Sequence, residues 1–257
     1  MVEVDDTVSY YVDFFRVKGG KDHIYSFHSQ SDTIASLENL QPVDQGGGTY
    51  AGPNISYGVN NSYPNGFSWI KNVSRDKVLT ENKYAIDFKV TDFKNILTDK
   101  APLNLRMTML MDGYPLSEVA IADAAPPQHS KNPALLKYAF IRRKGANLDT
   151  LFTTVFEPYR NNQRYIANIE TVPYEVLSGR LEANDAVRAV KVTLKSGRVD
   201  YVIYSTNTNI LLKIDNTFEF RGFVGVYTIL NGEPILKYVN DGDVIGTYEN
   251  LTPAITG

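Results

Sequence analysis

Apolar and polar residues alternate along most of the chain, and this pattern predicts β-strands rather than helices. The segments KYAIDFKVTDF (83–93) and LNLRMTMLM (103–111) show the alternation most clearly, and a period of two is typical of a strand with one buried face. Near the N-terminus, SYYVDFFRV and HIYSFHS are joined by the turn KGGKD, which predicts a β-hairpin. Further strand candidates in this half are 67–70, 135–143, 151–157 and 165–173.

The pattern changes after Gly179, where shorter strands follow one another through Gly and Asn turns. Asn231-Gly232 and Asp241-Gly242 are sequence signals for tight hairpins. We therefore predict an all-β protein with two parts. A large antiparallel β-sandwich covers residues 1–177, and a smaller antiparallel β-domain covers residues 178–257.

Two segments lack the alternation and are predicted as long loops. The first, Leu37 to Gly66, is rich in Gly, Asn, Pro and Tyr, and the second is SEVAIADAAPPQHSKNP (117–133). Long loops in compact domains often carry function. Tyr50, Tyr57 and Tyr63 are candidates for substrate binding, because an aromatic face packs against the C–H face of a sugar ring. The alternative is a surface excursion without function.

The composition argues against several classes of protein. The chain of 257 residues has 26 Lys and Arg against 29 Asp and Glu, a net charge of -3, whereas nucleic-acid-binding proteins normally carry a basic excess. Cys is absent, so there is no disulfide, no thiol nucleophile and no Cys-ligated metal. No apolar run approaches the roughly 20 residues of a membrane-spanning helix. We expect neither nucleic acid nor a membrane as a partner.

The first residues, MVEVDDTVSYY, have neither the basic region nor the apolar region of a signal peptide. The sequence therefore predicts no signal peptide in this chain. Its location stays open between the cytoplasm, the periplasm and secretion.

Three segments together resemble one family, the heparinase II/III-like polysaccharide lyases. TVSYYVDFFRVKGGKDHIYSFHSQ (7–30) resembles the family's hairpin, which reads approximately Y-V-V-D-x-F-R-V-x-G-G-x-x-H-x-Y-x-x-H. YAFIRRKGANLDTLFTTVFEPY (138–159) resembles its later core strands, where F-x-x-V-x-E-P-Y recurs. AVKVTLKSGRVDYVIYST (189–206) resembles the start of its terminal β-domain. The segments occur in the family's order.

The resemblance implies a bacterial protein with an N-terminal (α/α) toroid, a large antiparallel β-sandwich and a smaller β-domain. This chain has no counterpart of the toroid, so we expect it to be the C-terminal β-region of a lyase. The family cleaves acidic, uronate-containing polysaccharides, heparin- or heparan-like glycans among them, by β-elimination. The resemblance places its catalytic groups mainly on the toroid and at the cleft between toroid and sandwich. We therefore expect this region to support the toroid, to line the substrate cleft and to be inactive alone. The alternative is a stand-alone carbohydrate-binding or scaffolding β-sandwich protein.

The resemblance also implies a role for one histidine. It makes His28 a ligand of a structural zinc in the sandwich of the full-length protein, with the other ligands, a His and an Asp, upstream of this chain. A structural zinc takes four ligands, so His28 needs those partners. We expect no other cofactor. His129 lies in the PPQHSKNP loop, where it either faces solvent or reaches toward a substrate cleft.

The remaining charged candidates are read from their positions on the predicted strands. Arg142 and Arg143 form a basic run with Lys144, and the two arginines are candidate contacts for an anionic glycan. The alternative, which we favour in the absence of a second basic cluster, is a solvated strand end. We expect structural pairings, not catalytic roles, for Asp13 and Arg16, and a hydrogen bond to the turn backbone for His23. The sequence predicts no catalytic residue in this chain.

Overall fold

The computed structural model describes residues 1–59, 66–76, 83–111 and 118–247, and over these ranges the chain is dominated by β-structure. The helical structure in that part of the chain is a single short 3-10 helix, η1 (Phe67–Trp69). The predicted all-β fold, a sandwich followed by a smaller β-domain, is confirmed. The chain separates into two compact units after Gln163.

The chain up to Gln163 forms two antiparallel sheets. Its strands are β1 (Val2–Glu3), β2 (Ser9–Lys18), β3 (Asp22–His28), β4 (Thr33–Glu38), β5 (Val43–Asp44), β6 (Ile70–Asp76), β7 (Lys83–Val90), β8 (Leu103–Leu110), β9 (Glu118–Ala124), β10 (Leu136–Lys144) and β11 (Asp149–Arg160). The six-stranded sheet has the order β1-β2-β11-β8-β7-β4, and the five-stranded sheet has the order β3-β10-β9-β6-β5.

These two sheets pack face to face around one hydrophobic core. Ile86, Met107 and Phe152 enter the core from the six-stranded sheet, and Ile121 and Ile141 enter it from the five-stranded sheet. Full burial of such a side chain contributes about 1.5–3 kcal/mol. The alternation that predicted β7 and β8 therefore marks the inward-facing residues of a β-sandwich.

The second unit also contains two antiparallel sheets. Its strands are β12 (Ile166–Thr171), β13 (Tyr174–Ser178), β14 (Val187–Leu194), β15 (Val199–Ser205), β16 (Leu211–Ile214), β17 (Phe218–Arg221), β18 (Val224–Leu230), β19 (Glu233–Asn240) and β20 (Val244–Gly246). The sheet orders are β12-β14-β15-β18-β19 and β13-β16-β17-β20. Ile203 and Tyr227 of the first sheet and Leu212 and Phe220 of the second share a core.

The separation after Gln163 lies before the boundary predicted at residue 177. The reason is strand pairing, because β12 pairs with β14 and β13 pairs with β16. Both strands therefore belong to the sheets of the second unit. The sequence signal at Gly179 marks a turn within that unit, not its beginning.

The first predicted loop contains strand structure. β4 runs into it and β5 lies within it. In β4, Ile34 and Leu37 both pack against the core although they are three positions apart. The pairing register with β7 shifts between Ile34 and Ser36, and such a bulge breaks the period of two. Strict alternation therefore does not reveal this strand.

The second predicted loop begins with a central strand. β9 lies between β10 and β6, and all seven of its residues are buried. A strand that is buried on both faces need not alternate. Ile121 faces the sandwich core, while Ala120 and Ala122 lie in a separate apolar cluster with Tyr50. The loop prediction is wrong for residues 118–124, and the chain is irregular only from Ala125 onward.

Candidate functional site

The two longest segments that carry the family resemblance lie side by side in the sandwich. β2 pairs with β11, with Phe15 opposite Phe152. β3 pairs with β10, with Tyr25 opposite Ile141. Both strands of the N-terminal hairpin therefore contact a strand of the segment 138–159. Motifs far apart in the sequence form one structural unit.

Asp13 and Arg16 of the hairpin have structural partners. The Tyr25 hydroxyl donates to Asp13 Oδ2 at 2.8 Å. Arg16 donates to both carboxylate oxygens of Asp149, from Nε at 2.9 Å and from Nη2 at 2.6 Å. The hydrogen bond from Arg16 holds the pKa of Asp149 below its usual value. These pairs fix β2 to β3 and to β11.

His23 is buried beside the hairpin turn. Its Nε2 donates to the carbonyl oxygen of Gly19, and its Nδ1 lies 3.0 Å from Thr150 Oγ1. The expected hydrogen bond to the turn backbone is therefore present. With both ring nitrogens engaged, His23 has a structural role.

The basic run contains one buried and one paired arginine. Arg143 is completely buried, with its guanidinium carbon 4.5 Å from the centre of the Phe152 ring and Nη1 donating to the Leu151 carbonyl oxygen at 3.2 Å. It points into the sandwich and not toward a glycan. Arg142 forms a bidentate ion pair with Asp22, in which Nε donates at 2.8 Å. That hydrogen bond lowers the pKa of Asp22 and raises the pKa of Arg142.

Tyr50 also proves to be a core residue. Only 2% of it is exposed, and its ring packs against Phe140 and Phe67 at centroid distances of 4.5 and 4.9 Å. Burial raises the pKa of its hydroxyl to about 12. Tyr50 is therefore unable to stack on a sugar. Tyr63, the third tyrosine of the predicted binding loop, lies outside the described residues.

The remaining candidates gather at one end of the five-stranded sheet, which we call the His28 end. Tyr138 of β10 is opposite His28 of β3, and Leu136 of β10 is opposite Ala124 of β9. Ile70 of β6 is also opposite Ala124. Because the strands are antiparallel, β3 and β9 end here and β6 and β10 begin here. The Gly19–Gly20 turn lies at the opposite end of β3.

Trp69 at the end of η1, Lys71 in β6 and Tyr57 from the preceding loop form an arrangement that we call the aromatic corner. The Tyr57 and Trp69 rings meet edge to face at 72°, with their centroids 5.4 Å apart. Lys71 Nζ lies 5.0 Å from the centre of the Tyr57 ring. Both aromatic residues are exposed, Tyr57 at 44% and Trp69 at 45%. Sequence reasoning found Tyr57 and missed Trp69, whose signal was its position as the single Trp after a glycine-rich segment.

A cleft opens at the same end, along the irregular segment after β9. Its floor and walls are formed by nine residues, namely His28, Gln30, Phe93, Lys94, Pro126, Pro127, Asn132, Pro133 and Leu136. The cleft has a volume of about 280 Å³. A second depression of about 550 Å³ shares Pro126, Pro127, Asn132 and Pro133 with it and is bordered by His129. Polar, cationic and apolar groups line this surface together, a mixture that suits a polar ligand with apolar faces.

The zinc site that the resemblance implies needs ligands upstream of this chain besides His28, so it stays an expectation for the full-length protein. Within the described ranges, no group of three or more His, Asp or Glu side chains is placed to hold a metal ion. His28 instead packs against the Tyr138 ring at a centroid distance of 4.5 Å. Burial raises the pKa of Tyr138 and keeps its hydroxyl protonated. Neither residue has the partners of a metal centre in this part of the chain.

Comparison with protein-family models and with curated proteins gave no match. Over the described ranges, no helix has the length and apolar character that crossing a membrane requires.

Proposed function

We propose that this chain is the β-region of a polysaccharide lyase that cleaves an acidic, uronate-containing glycan by β-elimination. The observation that carries the proposal is the pairing of β2 with β11 and of β3 with β10. The two segments with the clearest resemblance to heparinase II/III-like lyases thus form one continuous part of the sandwich. A chance likeness in separate segments would not require them to be neighbours.

The His28 end supports the same proposal, because its groups suit an acidic sugar chain. Tyr57 and Trp69 offer exposed aromatic rings, and the ammonium group of Lys71 lies beside the Tyr57 ring. Lys94 offers a second ammonium group at the cleft. Aromatic faces bind the C–H faces of sugars, and ammonium groups attract carboxylates or sulfates. We infer that the sandwich binds the glycan at this end.

The elimination itself requires a base for the proton next to the uronate carboxyl group, an acid for the leaving oxygen and a group that neutralises the carboxylate. A tyrosine base would have to lose its proton. The described tyrosines whose pKa is shifted all have it raised, with burial as the first cause; they are Tyr25, Tyr50, Tyr84, Tyr138, Tyr201 and Tyr227. Because the resemblance implies that the catalytic groups lie mainly on the (α/α) toroid and at its cleft with the sandwich, we assign catalysis to the full-length protein and binding to this chain.

Two measurements test the proposal. The ultraviolet absorbance of unsaturated uronate should not rise when the purified chain is mixed with acidic polysaccharides, and it should rise when the toroid region is joined to the chain. Turnover by the chain alone would show that it contains the catalytic groups and would overturn the assignment.

The reading frame upstream of this chain distinguishes the proposal from a stand-alone carbohydrate-binding protein. A long helical region rich in Tyr, His, Asn and Arg supports the lyase. A chain that binds acidic glycan but has no such region in its source gene would be the stand-alone protein instead.

A further inference from the structure

We propose that the aromatic corner is a subsite for a single hexuronate residue, which stacks its pyranose ring on Trp69 and places its carboxylate at Lys71 Nζ. This inference rests on the proposed function, because it names the sugar unit that the His28 end recognises. It assigns a binding role to Trp69 and Lys71 and a positioning role to Tyr57 and Gly58.

The indole of Trp69 is exposed and its position is constrained. With 45% of the residue exposed, its indole presents an apolar aromatic face to a ligand. The Tyr57 ring contacts it from one side. Gly58 lies against its six-membered ring, since a Cβ atom at this position would be 3.4 Å from Trp69 Cη2. A ring that is positioned before the ligand arrives loses little entropy on binding.

Backbone hydrogen bonds keep Tyr57, Gly58 and Trp69 close together. Gly58 N donates to the Ser68 carbonyl oxygen at 3.0 Å, which ties the Tyr57 loop to the residue before Trp69. Trp69 N donates to the Gly66 carbonyl oxygen at 2.9 Å and closes η1. The corner is therefore part of the folded structure at the start of β6.

The charge at the corner favours an anionic sugar. Lys71 forms no ion pair with any residue in the described ranges, and its Nζ lies 5.0 Å from the centre of the Tyr57 ring. The acid opposite it in the β6–β9 pairing is Asp123. Asp123 already accepts hydrogen bonds from Lys137 Nζ at 2.6 Å and Asn72 Nδ2 at 2.8 Å. No carboxylate in the described ranges therefore pairs with the Lys71 ammonium, which leaves it accessible to an incoming carboxylate.

Trp69 is itself the probe for the test, because it is the single Trp of the chain. The purified chain is titrated with tetrasaccharides from heparosan, alginate and polygalacturonate, which carry carboxylates and no sulfate. The same tetrasaccharides after carboxyl reduction are the neutral controls. We expect at least one acidic tetrasaccharide to change the Trp69 emission, and its reduced form to bind at least about tenfold more weakly.

Variants separate the two contacts, with calorimetry as the readout that does not need the indole. Trp69→Leu should abolish binding. Lys71→Met should weaken binding of the acidic tetrasaccharide at least about tenfold and leave the weak binding of its reduced form unchanged. Lys21→Met is the matched control, because Lys21 is exposed at the Gly19–Gly20 turn, the opposite end of β3.

Three results would overturn the subsite. The first is that no acidic tetrasaccharide binds. The second is binding by calorimetry without any change in Trp69 emission, which would place the glycan elsewhere on the chain. The third is a change in emission on adding the toroid but not on adding a glycan, which would make the corner a domain interface. The proposed function fails in a different way, namely when the corner binds uronate but the chain joined to its toroid produces no unsaturated sugar.

Discussion

Arg75 holds Tyr50 in place through two contacts. Its guanidinium carbon lies 4.7 Å from the centre of the Tyr50 ring, and its Nη2 donates to the Tyr50 carbonyl oxygen at 2.9 Å. Arg75 is in turn fixed by an ion pair with Glu118 and by a hydrogen bond of 2.7 Å to Gln45. The long segment between β4 and β6 is therefore anchored to the five-stranded sheet at Tyr50.

This anchoring predicts a specific pattern of stability in Tyr50 variants. Tyr50→Ala should lower the free energy of unfolding by about 3–5 kcal/mol, as loss of a buried aromatic ring typically does. Tyr50→Phe should change it little, because the hydroxyl has no hydrogen-bond partner among the described residues. Urea unfolding followed by circular dichroism measures both variants. If the two variants were equally destabilised, the hydroxyl and not the ring would be the anchor.

A second prediction concerns a buried ion pair on the six-stranded sheet. Arg106 Nη1 donates to Asp87 Oδ2 at 2.6 Å, and the Tyr159 hydroxyl donates to Asp87 Oδ1 at 2.9 Å. The Asp87 side chain is 2% exposed and that of Arg106 is 7% exposed. Asp87→Ala leaves a buried cation without one of its partners, so we expect a loss of about 3–5 kcal/mol in unfolding free energy.

The exposed pair of Asp99 with Arg160 is the matched control for Asp87. Their N–O distance is 3.2 Å, and their side chains are 60% and 39% exposed. Asp99→Ala should cost less than about 1 kcal/mol in the same urea experiment, because solvent screens exposed pairs. Equal losses in the two variants would argue against a buried, cooperative cluster around Asp87.

Alternation in the sequence was sufficient to predict strands with one buried face, and insufficient where two other effects operate. β4 was not predicted because a bulge places Ile34 and Leu37 on the same face. β9 was not predicted because both of its faces are buried. Period-two reasoning assumes a regular strand with one solvent face, and each of these strands violates one part of that assumption.

The site was harder to predict than the fold, because the type of a residue does not reveal which way its side chain points. Arg142 and Arg143 are neighbours, yet one side chain points to Asp22 at the surface and the other into the sandwich under Phe152. Adjacent residues of a regular strand face opposite sides. Tyr50 and Tyr57 differ in the same way, since the first packs on the sheet and the second projects beside Trp69.

A third prediction concerns stability in acid. The hydrogen bonds from Arg142 and Arg16 hold the pKa values of Asp22 and Asp149 below their usual value. The unfolded chain, in which these carboxyl groups titrate near pH 4, therefore binds more protons than the folded chain at acidic pH. The stabilisation is fully present above about pH 5 and is lost as the pH falls through the lowered pKa values.

Asp149→Asn tests this pH dependence. Urea unfolding between about pH 3 and pH 7 should show a smaller loss of stability on acidification in the variant than in the wild-type chain. The difference should stay below about 1 kcal/mol, because the Asp149 side chain is one-third exposed. Identical acid profiles for the two proteins would show that the pair with Arg16 does not form in solution.

In the aromatic corner, Gly58 both adopts a left-handed backbone conformation and lies against the Trp69 ring. Its φ of 81° lies in the left-handed region, and a Cβ at this position would contact the Trp69 ring at 3.4 Å. Gly58→Ala should therefore lower the free energy of unfolding by about 1–2 kcal/mol for the backbone alone. It should also shift the Trp69 emission, because the new methyl group would lie in van der Waals contact with the indole and change its surroundings. Gly197→Ala isolates the backbone effect, since Gly197 has a φ of 87° and nothing within 4 Å of its Cβ position. This control should lose a similar amount of stability and leave the emission spectrum unchanged. If Gly58→Ala left the emission unchanged as well, the indole would not rest on Gly58, and the proposed platform for the sugar ring would lose its support.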